Sequence, residues 1–316
     1  MPPKQGATQM IWRDGKLIPW ADATLHVMSH VVHYGSSVFE GLRFYETSGG
    51  PAIFRLDDHM RRLIDSCKIY RIPVKHSAVT LAQACVDTVA ANDIRHGYLR
   101  PVIVRTGEQM GVFAADIPVE TFIIAWHWGR YLGEDALKDG VDTCVSSWRR
   151  AAPDTFPALA KAGGNYLSAS LAKMEARGDK YAEGIMLDSA GHIAEGAGEN
   201  IFLVRDKVVY TPPLSSGILH GITRDSCMRI AADLGYEVRV EALPREMLYI
   251  ADEAFFTGTA AELTPIRSVD RVQLGEGKPG PVTRAIQEDF MGIATGKKED
   301  RYGWLTVVPE TAAAAR

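Results

Sequence analysis

Apolar residues recur along this chain at two periods, and the two periods predict its elements. Residues 11–17 (IWRDGKL) set two short apolar runs around Asp14-Gly15, the pattern of a hairpin with a two-residue turn. Residues 56–71 repeat apolar side chains at Met60, Leu63, Ile64 and Cys67, which predicts a helix capped by Asp57 or Asp58. A second helix is predicted over 79–92. Residues 98–105 (YLRPVIVR) and 120–127 (ETFIIAWH) are rich in Val, Ile and aromatic side chains and predict strands, with Pro101 tolerated near a strand start or edge. Residues 107–118 between them predict a loop.

The polar, glycine-containing stretch 128–140 predicts an interdomain linker. A strand follows over 141–147, then a helix whose apolar spacing runs through Tyr166, Leu167, Leu171 and Met174. Residues 183–199 predict a hairpin turning at Asp188, Ser189 and Gly191. Residues 201–204 and 208–210 frame a turn at Arg205-Asp206-Lys207. An amphipathic helix is predicted over 222–234, strands over 236–240, 253–257 and 266–269, a late helix over 282–293, and a frayed tail at ETAAAAR.

Length divides this pattern. At 316 residues the chain exceeds one typical domain of about 150 residues, so we expect residues 1–128 as a smaller α/β domain, 129–139 as a linker and 140–316 as a larger domain. A net charge of −4 argues against a nucleic-acid partner. No apolar run approaches the ~18 residues of a membrane span, and MPPKQGATQ lacks the apolar segment of a signal peptide. Cys67, Cys85, Cys144 and Cys227 lie far apart without a CxxC pair, which suits reduced thiols in the cytoplasm.

Four segments carry candidate chemistry. In TFPALAKAGGNYLSASL, Lys161 sits among Ala158, Leu159, Ala160 and Ala162, and an amine held away from water makes a Schiff-base nucleophile. Glu195 in GHIAEGAGENIF is a carboxylate among small residues, with Glu199 four positions on; a protonated heteroaromatic nitrogen is one partner it could take. The helix beginning near Gly221 points the Ile222 and Thr223 amides and the Thr223 hydroxyl at whatever lies before it, a phosphate-type cradle. Gly258, Thr259 and Ala260 make a second small-residue turn after a strand. A lysine nucleophile, a carboxylate for a ring nitrogen and two phosphate-type turns are the inventory for pyridoxal phosphate. His26, His30 and His33 fall at i, i+4, i+7, a spacing open to metal, but no acidic or cysteine ligand accompanies them, which favours satisfied core histidines.

The chain resembles the branched-chain-amino-acid aminotransferases of the fold-type IV pyridoxal-phosphate family over about residues 11–305. The likeness is carried by HYGSSVFEGLR (33–43), YLRP (98–101), SSWRRAAPDTFPALAKAGGNY (146–166), EGAGENIF (195–202) and GITRD (221–225), with the class-IV signature running from Glu195 through Thr211 to Arg224. The resemblance implies an α/β (α+β) two-domain enzyme with pyridoxal 5'-phosphate between the domains and the larger domain as the cofactor-binding one. Lys161 would be the Schiff-base lysine and proton shuttle, Glu195 the partner of the pyridine nitrogen, and Tyr166 the partner of the ring hydroxyl. Arg62, Ile222, Thr223 and Thr259 would hold the phosphate, with Leu219 against the ring; Arg61 is left as a surface residue.

For the substrate, the resemblance implies a pocket from Tyr34, Phe39, Gly41, Tyr98, Trp128 and Tyr131, and the Thr259-Ala260 turn for the α-carboxylate. Arg100, with Tyr34 and Tyr131, would take the distal carboxylate of glutamate. Met110 to Val112 would complete the pocket of a neighbouring subunit, implying a homodimer at least and leaving a hexamer, a trimer of dimers, open. The implied reaction is reversible transamination between Leu, Ile or Val and 2-oxoglutarate in the cytoplasm, with no nucleic-acid or membrane partner. D-amino-acid aminotransferases, (R)-amine transaminases and aminodeoxychorismate lyases share the lysine and glutamate, but FEGLR together with YLRP favours the branched-chain group. A non-catalytic pyridoxal-phosphate-binding protein would be expected to have lost Lys161, Glu195 or the tyrosines, and all are present.

Overall fold

A computed structural model describes residues 10–129, 131–133 and 135–309. The ETAAAAR tail, the MPPKQGATQ segment, and Arg130 and Glu134 of the expected linker lie outside the described residues. The chain divides into two compact units: Met1–Gly129 with Ala160–Gly164 and Gly292–Arg316, and Arg130–Leu159 with Asn165–Met291.

The first unit opens with strands β1 (Met10–Arg13) and β2 (Lys16–Pro19), paired antiparallel around Asp14-Gly15. Both turn residues have positive φ, as a two-residue hairpin turn requires. Helix α1 (His30–Tyr34) is followed by β3 (Ser37–Phe39), β4 (Leu42–Thr47) and β5 (Gly50–Phe54). Then come α2 (Leu56–Ile69), α3 (Ala78–Asn92), β6 (Gly97–Arg105) and β7 (Val119–Trp126). Leu56, Met60, Leu63 and Cys67 of α2 are buried in one cluster with Leu81, Cys85 and Val89 of α3 and with sheet residues Leu42, Ile53, Leu99 and Ile123. The helix spacing read from the sequence is thus a packing face. Its cap is different: Arg55, in the left-handed region at φ 54°, precedes α2, while Asp57 and Asp58 lie within the first turn and Asp58 pairs with Arg55 at 2.7 Å.

Pro101 also departs from expectation. It lies mid-strand, opposite Ile123 of β7. On its other edge, β6 pairs with β4 as far as Leu99 and with β3 from Val102 onward, so the missing N–H falls where one neighbour hands over to the next. The Pro101 carbonyl there accepts the Glu40 N–H at 2.8 Å.

The second unit holds α4 (Ala136–Asp139), β8 (Val141–Val145), α5 (Tyr166–Gly178), β9 (Glu183–Leu187), β10 (Ile193–Gly196), β11 (Asn200–Arg205) and β12 (Val208–Thr211). It continues through α6 (Ile222–Asp233), β13 (Val238–Val240), α7 (Met247–Ile250), β14 (Glu253–Gly258), β15 (Glu262–Val269), β16 (Val272–Gln273) and α8 (Pro281–Ala294). The final strand, β17 (Leu305–Val307), returns to the first unit beside β5.

The first sheet runs β17-β5-β4-β6-β7-β1-β2 with β3 beside β6. The second runs β10-β9-β8-β15-β14-β11-β12-β13, and an added β10–β11 pairing joins β10, β9, β8, β15, β14 and β11 into a closed ring. Parallel pairs (β8–β9, β8–β15, β12–β13) mix with antiparallel ones, so the class is α/β with mixed sheets. No helix among the described residues is long and apolar enough to cross a membrane.

Helix α5 buries Ala169, Ala172 and Ala176 and leaves Leu167 and Met174 exposed, the reverse of the face expected from its large apolar residues. A Cβ on Gly184 of β9 would stand 3.0 Å from the Ala172 carbonyl, so helix and strand lie too close for anything but alanine at the contact.

Candidate active site

In the first unit, Lys161 is fixed at its backbone. Its N–H donates to Ser66 Oγ at 3.0 Å and its carbonyl accepts the Phe39 N–H at 2.9 Å, while Ala162 bridges to Val38. Ala160 and Ala162 are buried, Lys161 is half-buried and Leu159 is exposed, so the apolar surroundings expected from the sequence are present on only part of the segment. Lys161 Nζ lies 5.0 Å from the centre of the Phe39 ring.

Phe39 leads to the aromatic residues. The Arg100 guanidinium lies 4.6 Å from the Phe39 ring centre, 5.5 Å from Tyr98 and 6.0 Å from Trp126, and Tyr98 packs edge-on against Trp128 at 4.7 Å. Gly41 has no room for a side chain, because a Cβ would stand 1.8 Å from Tyr98 Oη. Arg100 Nε and Trp126 Nε1 are buried without a hydrogen-bond partner among the described residues. Two donors left open among aromatic walls suit an anionic or polar guest.

Glu40, next to Phe39 in the chain, is fully buried. It receives Arg62 in a two-point contact, Nε at 2.6 Å and Nη2 at 2.8 Å, and its Oε2 stands 2.6 Å from His59 Nδ1. Burial opposes the Glu40 charge, but the Arg62 guanidinium, with His59, outweighs it and holds the carboxyl well below the usual carboxylate range. Burial also lowers His59, against the pull of Glu40, so the imidazole is neutral at pH 7. His59 had no role in the sequence reading; Glu40 lies inside FEGLR, read there as part of an aromatic and charged pocket edge, and only the fold shows its partners.

Tyr34 meets the loop after β6. Its hydroxyl accepts the Gly111 N–H at 3.0 Å, its ring stacks on His30 at 4.4 Å, and His30 Nε2 lies 3.0 Å from the Gly111 carbonyl. Met110, Val112 and Phe113 on that loop are 53%, 89% and 79% exposed. The three histidines do not converge. His26 falls outside α1, His33 Nε2 meets the Val27 carbonyl, and no group of metal-ligating side chains forms among the described residues.

The second unit gathers a different set around Glu195. This buried carboxylate pairs with Arg150 at 3.1 Å, accepts Asn200 Nδ2 at 2.9 Å and accepts the Leu219 N–H at 3.2 Å. Asn200 also donates to the Leu219 carbonyl at 3.0 Å, and a Cβ on Gly221 would stand 1.8 Å from Asn200 Oδ1. Asn200 therefore ties Glu195, Leu219 and the start of α6 together. The α6 N-terminus presents Ile222 and Thr223, both buried, after Gly221. Thr259 and Ala260 form the β14–β15 turn, Tyr166 opens α5, and the Tyr131 ring lies 5.1 Å from Lys173 Nζ. Arg150 and Asn200 were missed from the sequence; each sits inside a quoted motif, SSWRRAAPD or EGAGENIF, but only the fold shows what it touches.

Residues 37–269 match the family model described as Amino-transferase class IV. The chain belongs to the class IV amino-transferase family. Among its class IV relatives, the branched-chain-amino-acid aminotransferase of Escherichia coli (strain K12) is 53% identical over 299 residues, covering 94% of this chain and 97% of that one. The solved structure of Escherichia coli branched-chain amino acid aminotransferase superposes with a TM-score of 0.93 at 53% identity, covering 96% of this chain and 100% of that one. A structure of a T.th. branched-chain amino acid aminotransferase complexed with N-(5'-phosphopyridoxyl)-L-glutamate gives a TM-score of 0.91 at 43% identity, covering 96% of this chain and 99% of that one.

Proposed function

We propose that this class IV aminotransferase exchanges amino groups between branched-chain L-amino acids and 2-oxoglutarate, with pyridoxal 5'-phosphate as its cofactor. The observation that carries the reading is the Phe39–Arg100–Tyr98 arrangement: an apolar aromatic wall with the Arg100 guanidinium laid on it, its Nε without a hydrogen-bond partner among the described residues. An aliphatic side chain can lie on the rings, and a second carboxylate can reach the guanidinium, so one pocket serves both leucine and glutamate.

The residues also fit the cofactor by their chemistry. Glu195 is a buried carboxylate held by Arg150 and Asn200, suited to accept an N–H from a pyridinium. Ile222 and Thr223 at the α6 N-terminus, Thr259 in its turn and Arg62 on α2 are donors for a phosphate. Tyr166 would hydrogen-bond the ring hydroxyl and Leu219 would pack against the ring. Pyridoxal phosphate, when bound, supplies the carbonyl that condenses with an amine and the electron-poor ring that takes up the electron pair released at the substrate α-carbon. Lys161 would hold that carbonyl through its amine, and its amine would be the group that takes and returns the α-carbon proton. In this reading Thr259 and Ala260 would orient the α-carboxylate, and Gly41, Trp128, Tyr34 and Tyr131 would bound the pocket. The D-amino-acid, (R)-amine and lyase readings rest on the shared lysine and glutamate alone.

A homodimer at least belongs to the same reading, supported by the exposed Met110, Val112 and Phe113, which are apolar enough to call for a cover. Sedimentation should give a dimer or a larger multiple, and a monomer would count against it. A cytoplasmic location is supported by four cysteines that are all free and buried. The deciding experiment is amino transfer to 2-oxoglutarate, followed as L-glutamate released. L-leucine should serve and D-alanine should not, and Lys161→Ala should fall below about a thousandth of the wild-type rate. Turnover of D-alanine but not L-leucine would overturn the substrate assignment.

A further inference from the structure

The short helix α1 and the loop after β6 are joined through one buried histidine that the chemistry above leaves unused. His30 opens α1 and is buried, and its backbone N–H donates to the Gly107 carbonyl at 2.9 Å. Its Nε2 stands 3.0 Å from the Gly111 carbonyl and its Nδ1 stands 2.7 Å from Ser36 Oγ. A carbonyl only accepts, so Nε2 carries a proton, and the Ser36 hydroxyl holds the other side of the ring. One turn along α1, the Tyr34 hydroxyl accepts the N–H of the same glycine at 3.0 Å, and the two rings stack at 4.4 Å with 29° between their planes. Both polar atoms of Gly111 are thus gripped by residues four apart on one helix face. Gly111 has φ 114°, a conformation that side chains rarely allow, so the grip depends on a glycine here.

The grip sets two things at once. Met110, Val112 and Phe113 are exposed around Gly111, and an apolar segment with so little packing of its own keeps one course only where its backbone is fastened. Gly107 and Gly111 are fastened by α1, and the Ala114 carbonyl by the Arg105 guanidinium. The Tyr34 hydroxyl, having accepted the Gly111 N–H, keeps its own proton to donate, and the bond it accepts fixes its direction. We propose that His30 is a positioning residue, oriented by Ser36, that holds the Met110–Val112 segment and aims the Tyr34 hydroxyl, and so sets how well the site takes a dicarboxylate. This rests on the reading of Tyr34 as a partner of the distal carboxylate of glutamate. A phenol proton offered to a carboxylate matters to glutamate and 2-oxoglutarate and little to leucine, so His30 acts on the preference between the two substrates.

The test compares wild type with His30→Gln, His30→Leu and Ser36→Ala. Glutamine carries an amide donor near the position of Nε2 and keeps the bond to the Gly111 carbonyl, whereas leucine fills the space without it. Amide hydrogen exchange of the 107–113 segment, read by mass spectrometry, should be as slow in His30→Gln as in wild type and faster in His30→Leu. In His30→Leu, KM for 2-oxoglutarate should rise about tenfold, with KM for L-leucine within about threefold and kcat within about twofold. His30→Gln should keep the wild-type values. Unchanged exchange in His30→Leu, a glutamine variant as disturbed as the leucine one, or an equal rise in both KM values overturns the proposal. Should His30→Leu not fold, Ser36→Ala decides by the same exchange rate, faster in support and unchanged in refutation. A wild-type protein that transfers no amino group from L-leucine would instead sink the functional reading, with the exchange rates still deciding the grip on Gly111.

Discussion

Single atoms decide much of the candidate site. Gly41 can be nothing larger, since its missing Cβ is the space that Tyr98 Oη occupies. Gly41→Ala should therefore push Tyr98 off the aromatic wall, raising KM for L-leucine about tenfold while kcat changes less. An unchanged KM would show that Tyr98 does not define the pocket. Glu40 works in a different way. Its two-point contact with Arg62 and its bond to His59 fix a guanidinium that would otherwise sample many rotamers. Neither Tyr98's position nor Glu40's partners follow from local pattern, because both are contacts between residues far apart in sequence.

At the scale of elements, the helices and strands follow the periodicity closely where one face is plainly apolar, as in α2 and β7. Helix α3 starts at Ser77, whose Oγ accepts the Thr80 N–H at 3.1 Å. Ser77→Ala should lower the unfolding free energy by about 1 kcal/mol, measured by denaturant titration. A change near zero would mean that water replaces the hydroxyl at no cost. Periodicity misled at α5, where it marked Leu167, Leu171 and Met174 as the packing face. Hydrophobicity alone favours that face, but the closeness of Gly184 admits only alanine. It was silent on the β4–β5 hairpin and on β17, whose few residues carry too little pattern to stand out.

For the whole molecule, the buried groups of the first unit set an acid limit. His59 has a lowered pKa in the folded state, so below its ordinary 6.5 the unfolded chain takes up the proton first. Its contribution to stability is complete above that value and is lost as pH falls. Glu40 acts in the same direction: its contribution is present above 4.5 and is lost as pH falls toward its own much lower folded value. The melting temperature should thus decline as pH is lowered from 7, with the first loss beginning near 6.5. His59→Asn should flatten that first part of the decline. An identical slope in wild type and variant between pH 6.5 and 5 would assign the loss to other groups. Four thiols do not enter this balance, since burial pushes Cys67 up to about 12 and Cys144 up to about 11.

What the sequence determined by itself is the inventory: Lys161, Glu195, the α6 N-terminus, the Thr259-Ala260 turn and the aromatic residues. Residue type and local spacing offered the first four, and the aromatic residues came only from the family resemblance. Only the tertiary structure decided the partners. Arg150 and Asn200 on Glu195, His59 and Arg62 on Glu40, and Lys173 on Glu183 are each set by sheet register and helix packing. A buried charge is tolerable only with such a partner, and the sequence names the charge without saying which distant residue the fold will bring to meet it.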